Sequence, residues 1–311
     1  MPDHRASDII VATFYRFTRF EDPEALRGPL ASACAAAGAK GTIILAREGV
    51  NGTIAASRTG VDAALARLRP LPGCESLAAR SSAAAAPPFR RLDVRVRPEI
   101  VTLGDPAADP SRRAGVHVAP ADWNALIRAP DVAVIDARNA YEVAVGSFAG
   151  AVDPGTASFR DFPKWWAANA ARFAGKRIAM FCTGGIRCEK ASSHLLGQGV
   201  AHVHQLEGGI LAYLAAPPAE TLWRGGCFVF DARVTVGPGL ATGDHRLCHA
   251  CGGAVSRAGQ AHPSFEPGVS CPACIDAYGP ADRARFRMRQ RQIALAAARQ
   301  PAADASGRLD R

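Results

Sequence analysis

The 311-residue sequence has no stretch near the roughly 18 consecutive apolar residues that a membrane helix needs, so a membrane-spanning chain is not expected. Met1–Asp8 mixes charges and lacks the apolar run of a secretory signal. The cytoplasm is therefore the expected location, and no membrane partner is expected. No flavin, haem or iron motif is visible. Lysine is scarce, at four of 37 basic residues, and acids are outnumbered, so the formal net charge is +9 and the isoelectric point about 9.4. That balance favours a polyanionic partner, RNA or an anionic lipid surface. An arginine bias with abundant alanine also follows from skewed genomic composition, so charge alone does not choose.

What is present is enough apolar residue, 48%, to build a buried core, and enough length for two or three small domains. Nine cysteines in a chain expected to meet a reducing compartment argue for metal binding or thiol chemistry rather than a disulfide scaffold. Cys34, Cys74 and Cys227 are scattered and read as packing residues. Cys248-x2-Cys251 and Cys271-x2-Cys274 are separated by 19 residues, the spacing of a structural zinc ribbon, and Gly252-Gly253 suits a tight knuckle. A closed site of four cysteines would be structural, since no coordination position stays open. Four reduced thiols or an electron-relaying pair are the competing readings; His249 and His262 are not needed as ligands.

Along the chain, Ile9–Phe17 reads as a strand and Pro23–Ala37 as a helix opened by Asp22 and closed by Gly38. Gly41–Ala46 and Thr53–Ala56 read as strands around Arg47-Glu48-Gly49-Val50-Asn51-Gly52, whose Asn51-Gly52 pair is a strong turn signal. Gly60–Leu68 reads as a helix and Arg90–Arg97 as a half-buried strand. The order is βαββαβ, a ferredoxin-like split βαβ domain over residues 1–108. Ala78–Pro88 reads as a surface loop and Gly104–Gly115 as a linker. A central α/β domain over 118–222 has buried parallel strands at Val132–Ile135, Ile178–Phe181 and Val203–Leu206. It has helices at Cys188–Leu196 and from Gly208-Gly209 through Leu214. A Cys-rich module over 223–311 begins with a strand-like Phe228–Val236. It ends in an Arg-rich helix from Arg283 and a polar tail.

The central chemistry lies at Cys182-Thr183-Gly184-Gly185-Ile186-Arg187-Cys188. An apolar strand ends at Cys182 and a helix is expected about six residues later. Glycines between them let backbone N–H groups converge on one point, and the helix N-terminus adds partial positive charge. Such a cradle stabilises a thiolate and makes the cysteine nucleophilic. It would equally hold the terminal sulfur of a persulfide. Tyrosine phosphatases place five residues between Cys and Arg; here there are four, a smaller loop that suits sulfur. Upstream, Asp136-Ala137-Arg138 and Glu142 match the rhodanese Asp-x-Arg-x-x-x-Glu signature. Glu207-Gly208-Gly209-Ile210 resembles its late Gly-Gly turn. Asp136, Arg138 and Glu142 are expected to support the loop as ion pairs. Cys188 is either a resolving thiol for Cys182 or a packing residue.

The flanks are more specific. Glu48-Gly49-Val50-Asn51-Gly52-Thr53, Phe89 to Gly104, Cys182 to Ser192 and Trp223 to Val234 resemble four blocks of the oxygen-dependent tRNA uridine-34 hydroxylase family, and the resemblance runs from about residue 9 to 293. It implies hydroxylation of the wobble uridine to 5-hydroxyuridine, with tRNA as partner through its anticodon loop, no DNA partner, and O2 with an unidentified reductant. It also implies that Cys182 is the essential cysteine. A rhodanese-like sulfurtransferase acting through a Cys182 persulfide is the alternative. A non-catalytic binding protein is disfavoured by the intact Cys182 and Arg187. For RNA contact, Arg90, Arg91, Arg95 and Arg97 beside Phe89 could hold phosphate while an aromatic stacks a base. Arg283, Arg285, Arg287, Arg289 and Arg291 divide between two helix sides and read equally as a solvated face.

Overall fold

Alternation builds the first sheet. The computed structural model describes residues 9–299. The leader reading of Met1–Asp8 and the end of the polar tail lie outside these residues. In β1 (Ile9–Phe17), Ala12 and Phe14 point into a core while Thr13 and Tyr15 point the other way. Asp22 caps α1 (Pro23–Ala36), its carboxylate accepting from the N–H groups of Glu24 and Ala25. β2 (Lys40–Ala46), β3 (Gly49–Ser57), α2 (Arg58–Leu68), β4 (Ala79–Ala84) and β5 (Leu92–Val96) follow. The sheet order is β4-β1-β3-β2-β5. The two helices cover one face, burying Phe14, Leu30, Ile43, Leu45, Ile54 and Leu68. The other face is left to Thr13, Tyr15, Thr42, Ile44, Asn51 and Thr53.

The fold is the expected ferredoxin-like one, but two readings within it are corrected. The closing strand is β4, which lies in the stretch read as a loop; it pairs antiparallel with β1 from Phe14↔Ala79 to Ile9↔Ala84. Its Ala-Arg-Ser-Ser-Ala-Ala sequence carries no β-branched signal, because an edge strand is held by backbone bonds on one side and needs little side-chain burial. The half-buried Leu92–Val96 is an extra strand on the far edge, parallel to β2. The hairpin turn is Arg47-Glu48, not Asn51-Gly52: the ladder runs to Ala46↔Gly49, and Asn51 and Gly52 pair with Ile44 and Ile43 inside the strand. Gly52 is needed there for room, since a Cβ would lie 2.6 Å from the Phe14 ring.

The second sheet is parallel. It belongs to a domain made of β6 (Val116–Val118), α3 (Pro120–Ile127), β7 (Val132–Asp136), α4 (Ala140–Val143), β8 (Gly146–Phe148), α5 (Phe162–Asn169), β9 (Arg177–Phe181), α6 (Ile186–Gly197), β10 (Val203–Leu206) and α7 (Gly209–Ala215). Its order is β6-β10-β9-β7, with apolar clusters on both faces, as a parallel sheet requires. β11 (Trp223–Gly225) pairs with β8. Phe228–Val236 is not one strand but a hairpin of β12 (Cys227–Phe228) and β13 (Thr235–Val236).

Helix α6 joins the two sheets through polar contacts. Lys190, 1% exposed, donates through its ammonium to Glu48 at 2.9 Å and to Glu99. Tyr15 donates to Glu189 at 3.1 Å. In the segment between the sheets, the Gly115 N–H donates to Ser192 Oγ at 2.9 Å, and His194 Nδ1 lies 2.6 Å from Asp105.

Residues 244 onward form a second compact unit. It holds β14 (Arg246–Leu247), β15 (Ala254–Val255), α8 (Arg257–Gln260) and α9 (Pro280–Arg299). The α9 arginines are largely engaged within it. Arg283 donates to the carbonyls of Ile275 and Tyr278, Arg287 pairs with Glu266, and Arg289 donates to the carbonyls of His249 and Gly268.

Lys190→Ala leaves Glu48 and Glu99 facing each other without their shared cation. It is expected to destabilise the first unit by roughly 3 kcal/mol, read as a lowered denaturant midpoint. An unchanged midpoint would show that the cluster does not hold the sheets together.

Candidate active site

Cys182 follows directly on β9 and is fully buried. α6 begins at Ile186, two residues earlier than the sequence suggests, so Arg187 and Cys188 lie in its first turn. The loop therefore tightens to Thr183–Gly185. Its closing residue, Gly185, has φ +103°, and a Cβ there would lie 2.8 Å from the Tyr15 hydroxyl. The Gly185 N–H donates to Cys182 Sγ at 3.2 Å. Gly209, at φ +63°, lets α7 start against the carbonyls of Cys182 and Thr183, where a Cβ would come within 2.4 Å of oxygen.

Charge inside the loop is balanced by a buried pair. Arg187 donates both terminal nitrogens to Glu142, at 2.6 and 2.8 Å, and one of them also reaches Thr183 Oγ at 3.2 Å. Glu142 also accepts from the Asn139 N–H, closing a capping box at α4. Burial pushes the Glu142 carboxyl up, but Arg187 holds it below its ordinary value. Asp136 and Arg138 form a second fully buried pair that stays away from the loop. Arg138 reaches Asp136 at 2.6 and 2.8 Å and the Gly146 carbonyl at 2.6 Å, and lies 5.3 Å from the Trp223 ring centroid. It ties β7 to β8 and β11.

Burial alone would raise the Cys182 thiol. A hydrogen bond from the Cys188 thiol, the Arg187 charge and the N–H groups of Cys188 and Gly185 outweigh it and bring the pKa down to about 6. Cys188 is driven the other way, first by burial and then by its bond to Cys182. The two thiols are thus differentiated, Cys182 ionising more readily than a free thiol and Cys188 less readily.

The loop forms the floor of a cavity of about 510 Å³. Its opposite wall is the open face of the first sheet, from Thr13 and Tyr15 to Asn51 and Thr53. Phe230, Asp231 and Arg233 line a third side. Phe230 is 61% exposed, an unusual state for a phenylalanine, with the Arg187 guanidinium 6.0 Å from its ring centroid. It packs edge-on against Phe228, which meets Tyr141 in the same way. Beside the loop, Glu189 accepts from Tyr15 and from Gln205, and meets His117 Nε2 at 2.8 Å. The Tyr15 phenol is held well above its ordinary pKa, chiefly by burial and then by Glu189.

Of the four domain-one arginines singled out in the sequence, Arg95 is engaged by Asp93, and Arg90, Arg91 and Arg97 are exposed. None of the four lines the cavity; Phe89 does, while packing near Val11, Ala55 and Ala84. Sequence reasoning missed Tyr15, Glu189, His117 and Phe230. The strand alternation that sends Tyr15 away from Phe14 was a usable signal; nothing local marked the others.

In the second unit, the sulfurs of Cys248, Cys251, Cys271 and Cys274 all lie within 4.8 Å of one another. Cys248–Cys274 and Cys251–Cys271 are each separated by 3.8 Å, and Cys271–Cys274 by 3.6 Å. This donor set can hold a metal ion.

The parallel sheet and its cysteine loop define a rhodanese-like protein, and residues 119–216 match the family described as the Rhodanese-like domain. Residues 9–100 match the UPF0176 acylphosphatase like domain. Curated relatives span nearly the whole chain. The tRNA uridine(34) hydroxylase of Jannaschia sp. (strain CCS1) is 58% identical over 291 residues, covering 93% of this chain and 96% of the relative. That of Ruegeria pomeroyi is 57% identical, with 93% and 96% covered. That of Caulobacter vibrioides (strain NA1000 / CB15N) is 54% identical, with 91% and 92% covered. The chain belongs to the tRNA uridine(34) hydroxylase family.

Reaction of Cys182 with a small neutral alkylating reagent should rise with pH around a midpoint near 6, because only the thiolate attacks. Arg187→Met should move that midpoint upward. A midpoint near 9 in the wild type would show that the cradle does not stabilise the thiolate.

Proposed function

We propose that this chain hydroxylates uridine 34 of tRNA at C5, with Cys182 as the reacting residue. The observation that carries the reading is the membership of the whole chain in that family, and the cavity agrees with it. An acidified cysteine lies on the floor, and a hydroxyl- and amide-bearing sheet face stands opposite. One atom of O2 enters C5 and the other leaves as water, with two electrons and two protons supplied by a reductant. Cys182 acts as a thiolate or as a persulfide whose terminal sulfur the loop N–H groups hold. Cys188, in the first turn of α6, is the resolving thiol. Arg187, fixed by Glu142, keeps the sulfur ionised. Thr183, Gly184, Gly185 and Ile186 shape the loop, and the Asp136–Arg138 pair keeps the strand beneath it in place.

The tRNA enters by its anticodon loop, whose unpaired bases cost little to turn outward. Phe230 offers a neighbouring base a stacking surface, and exposed Arg90, Arg91 and Arg97 supply positive charge for the phosphates. The reaction belongs in the cytoplasm, where its substrate is. The second unit holds one structural zinc. A tetrahedral site with zinc–sulfur bonds of about 2.3 Å places its sulfurs roughly 3.8 Å apart, which fits the sulfur separations found here. When bound, zinc would cross-link the two CxxC knuckles.

Nucleoside mass spectrometry of tRNA incubated with the protein, reductant and O2 should show one oxygen gained on uridine 34, and none with Cys182→Ser. A gain of sulfur instead would establish a sulfurtransferase. Metal analysis should find one zinc per chain. Cys271→Ser should lose it and make the second unit sensitive to proteolysis; a metal-free wild type that resists proteolysis equally would remove the zinc.

A further inference from the structure

A base admitted to this cavity has to be recognised as uracil, and one side chain is fixed in a way that can do so. Asn51 stands in β3 between Tyr15 of β1 and Ile44 of β2, on the sheet face that lines the same cavity as Cys182. Its Nδ2 donates to the Ile100 carbonyl at 3.0 Å. Ile100 is anchored through its other backbone group as well: its N–H donates to Glu48 Oε1 at 2.7 Å, and Glu48 is in turn held by Lys190. A flipped Asn51 amide would bring two oxygens face to face, so its orientation is set. Asn51 Oδ1 accepts no hydrogen bond from any described residue, and one Nδ2 hydrogen remains after the bond to Ile100. The side chain therefore offers one acceptor and one donor in a fixed order.

Resting on the uridine reading above, we propose that Asn51 is the specificity-determining residue that reads the uracil edge. Oδ1 accepts from N3–H, and the remaining Nδ2 hydrogen donates to O4. Cytosine in the same pose carries an amino group where uracil has O4, and a bare nitrogen where uracil has N3–H. Donor then meets donor and acceptor meets acceptor. An asparagine free to flip would accommodate both bases; the Ile100 carbonyl removes that freedom. A bidentate amide contact of this kind supports discrimination of roughly ten- to a hundredfold. It also explains why Asn-Gly, the strongest turn signal in this part of the sequence, is spent inside a strand: Asn51 faces the cavity, and Gly52 makes room for Phe14 behind it.

The test uses the full chain and three anticodon stem-loop RNAs, carrying uridine, N3-methyluridine or cytidine at the target position. Competition binding with wild type should place the last two roughly ten- to a hundredfold weaker than the first. Asn51→Ala should weaken only the uridine RNA, bringing all three close together. Equal weakening of all three would assign Asn51 a structural role and overturn the proposal. Because Asn51→Ala also removes the bond to Ile100, the unaltered protein supplies an independent check: N3-methyluridine bound as tightly as uridine overturns it too. Hydroxylation of the uridine RNA by wild type is scored alongside. Its absence defeats the functional reading itself, whereas hydroxylation with discrimination intact in Asn51→Ala defeats only the role of Asn51.

Discussion

A carboxylate and a guanidinium buried together beneath a thiolate carry most of this structure. Removing Glu142 from water would cost several kcal/mol if it stood alone. The two charge-assisted bonds from Arg187 offset that cost, and the same guanidinium supplies the positive field that Cys182 needs. The pair is neutral as a whole, so it can sit in the interior, but it is not symmetrical. Glu142 is also bound by the Asn139 N–H and Thr183 Oγ, so its position is set from the α4 side. Arg187 is set by Glu142, and the loop by Arg187. Loss of Glu142 would leave Arg187 without its anchor even with Cys182 untouched.

The contacts between the ferredoxin-like sheet and α6 follow the same rule. They are made by Lys190 and Glu189 rather than by an apolar stripe, and each meets a matched group on the other side, Glu48 and Tyr15. Polar contacts of this kind add little net stability per pair, but a wrong register leaves charges unpaired and is strongly penalised. They therefore fix where the open sheet face lies with respect to the loop. That placement matters more than its energy, because the cavity exists only between the two.

Much of this was legible in the sequence. The Asp136, Arg138 and Glu142 spacing, the glycines around Cys182 and the flanking blocks led to the fold class and the family. The two CxxC pairs marked four sulfurs that the chain does bring together. Other features were hidden for physical reasons. β4 was missed because a strand zipped to β1 by backbone bonds leaves no hydrophobic pattern in Ala-Arg-Ser-Ser-Ala-Ala. The turn was misplaced because Asn51-Gly52 satisfies a turn preference locally while tertiary packing uses both residues differently. The Glu189 network was invisible because its partners, Tyr15, His117 and Gln205, come from three separate strands. Arg287 and Arg289 read as a charged face because the carboxylate and the carbonyls that occupy them are distant in sequence.

The tight loop itself suits a single sulfur, and a small sulfur donor would need little more than that loop and a path to it. Here the path is walled by a sheet face that presents Thr13, Tyr15, Thr42, Asn51 and Thr53 beside Ile44, where a covered face would carry mostly valine and isoleucine. Those hydroxyl and amide groups are expensive to leave dry unless a polar occupant meets them. Phe230, exposed at the side of the same cavity, offers a flat apolar ring that a planar occupant can cover. A nucleobase satisfies both conditions at once, with polar edges for the sheet and a π face for the ring. The ferredoxin-like domain thus converts a loop able to hold sulfur chemistry of many kinds into a compartment matched to a planar, hydrogen-bonding substrate.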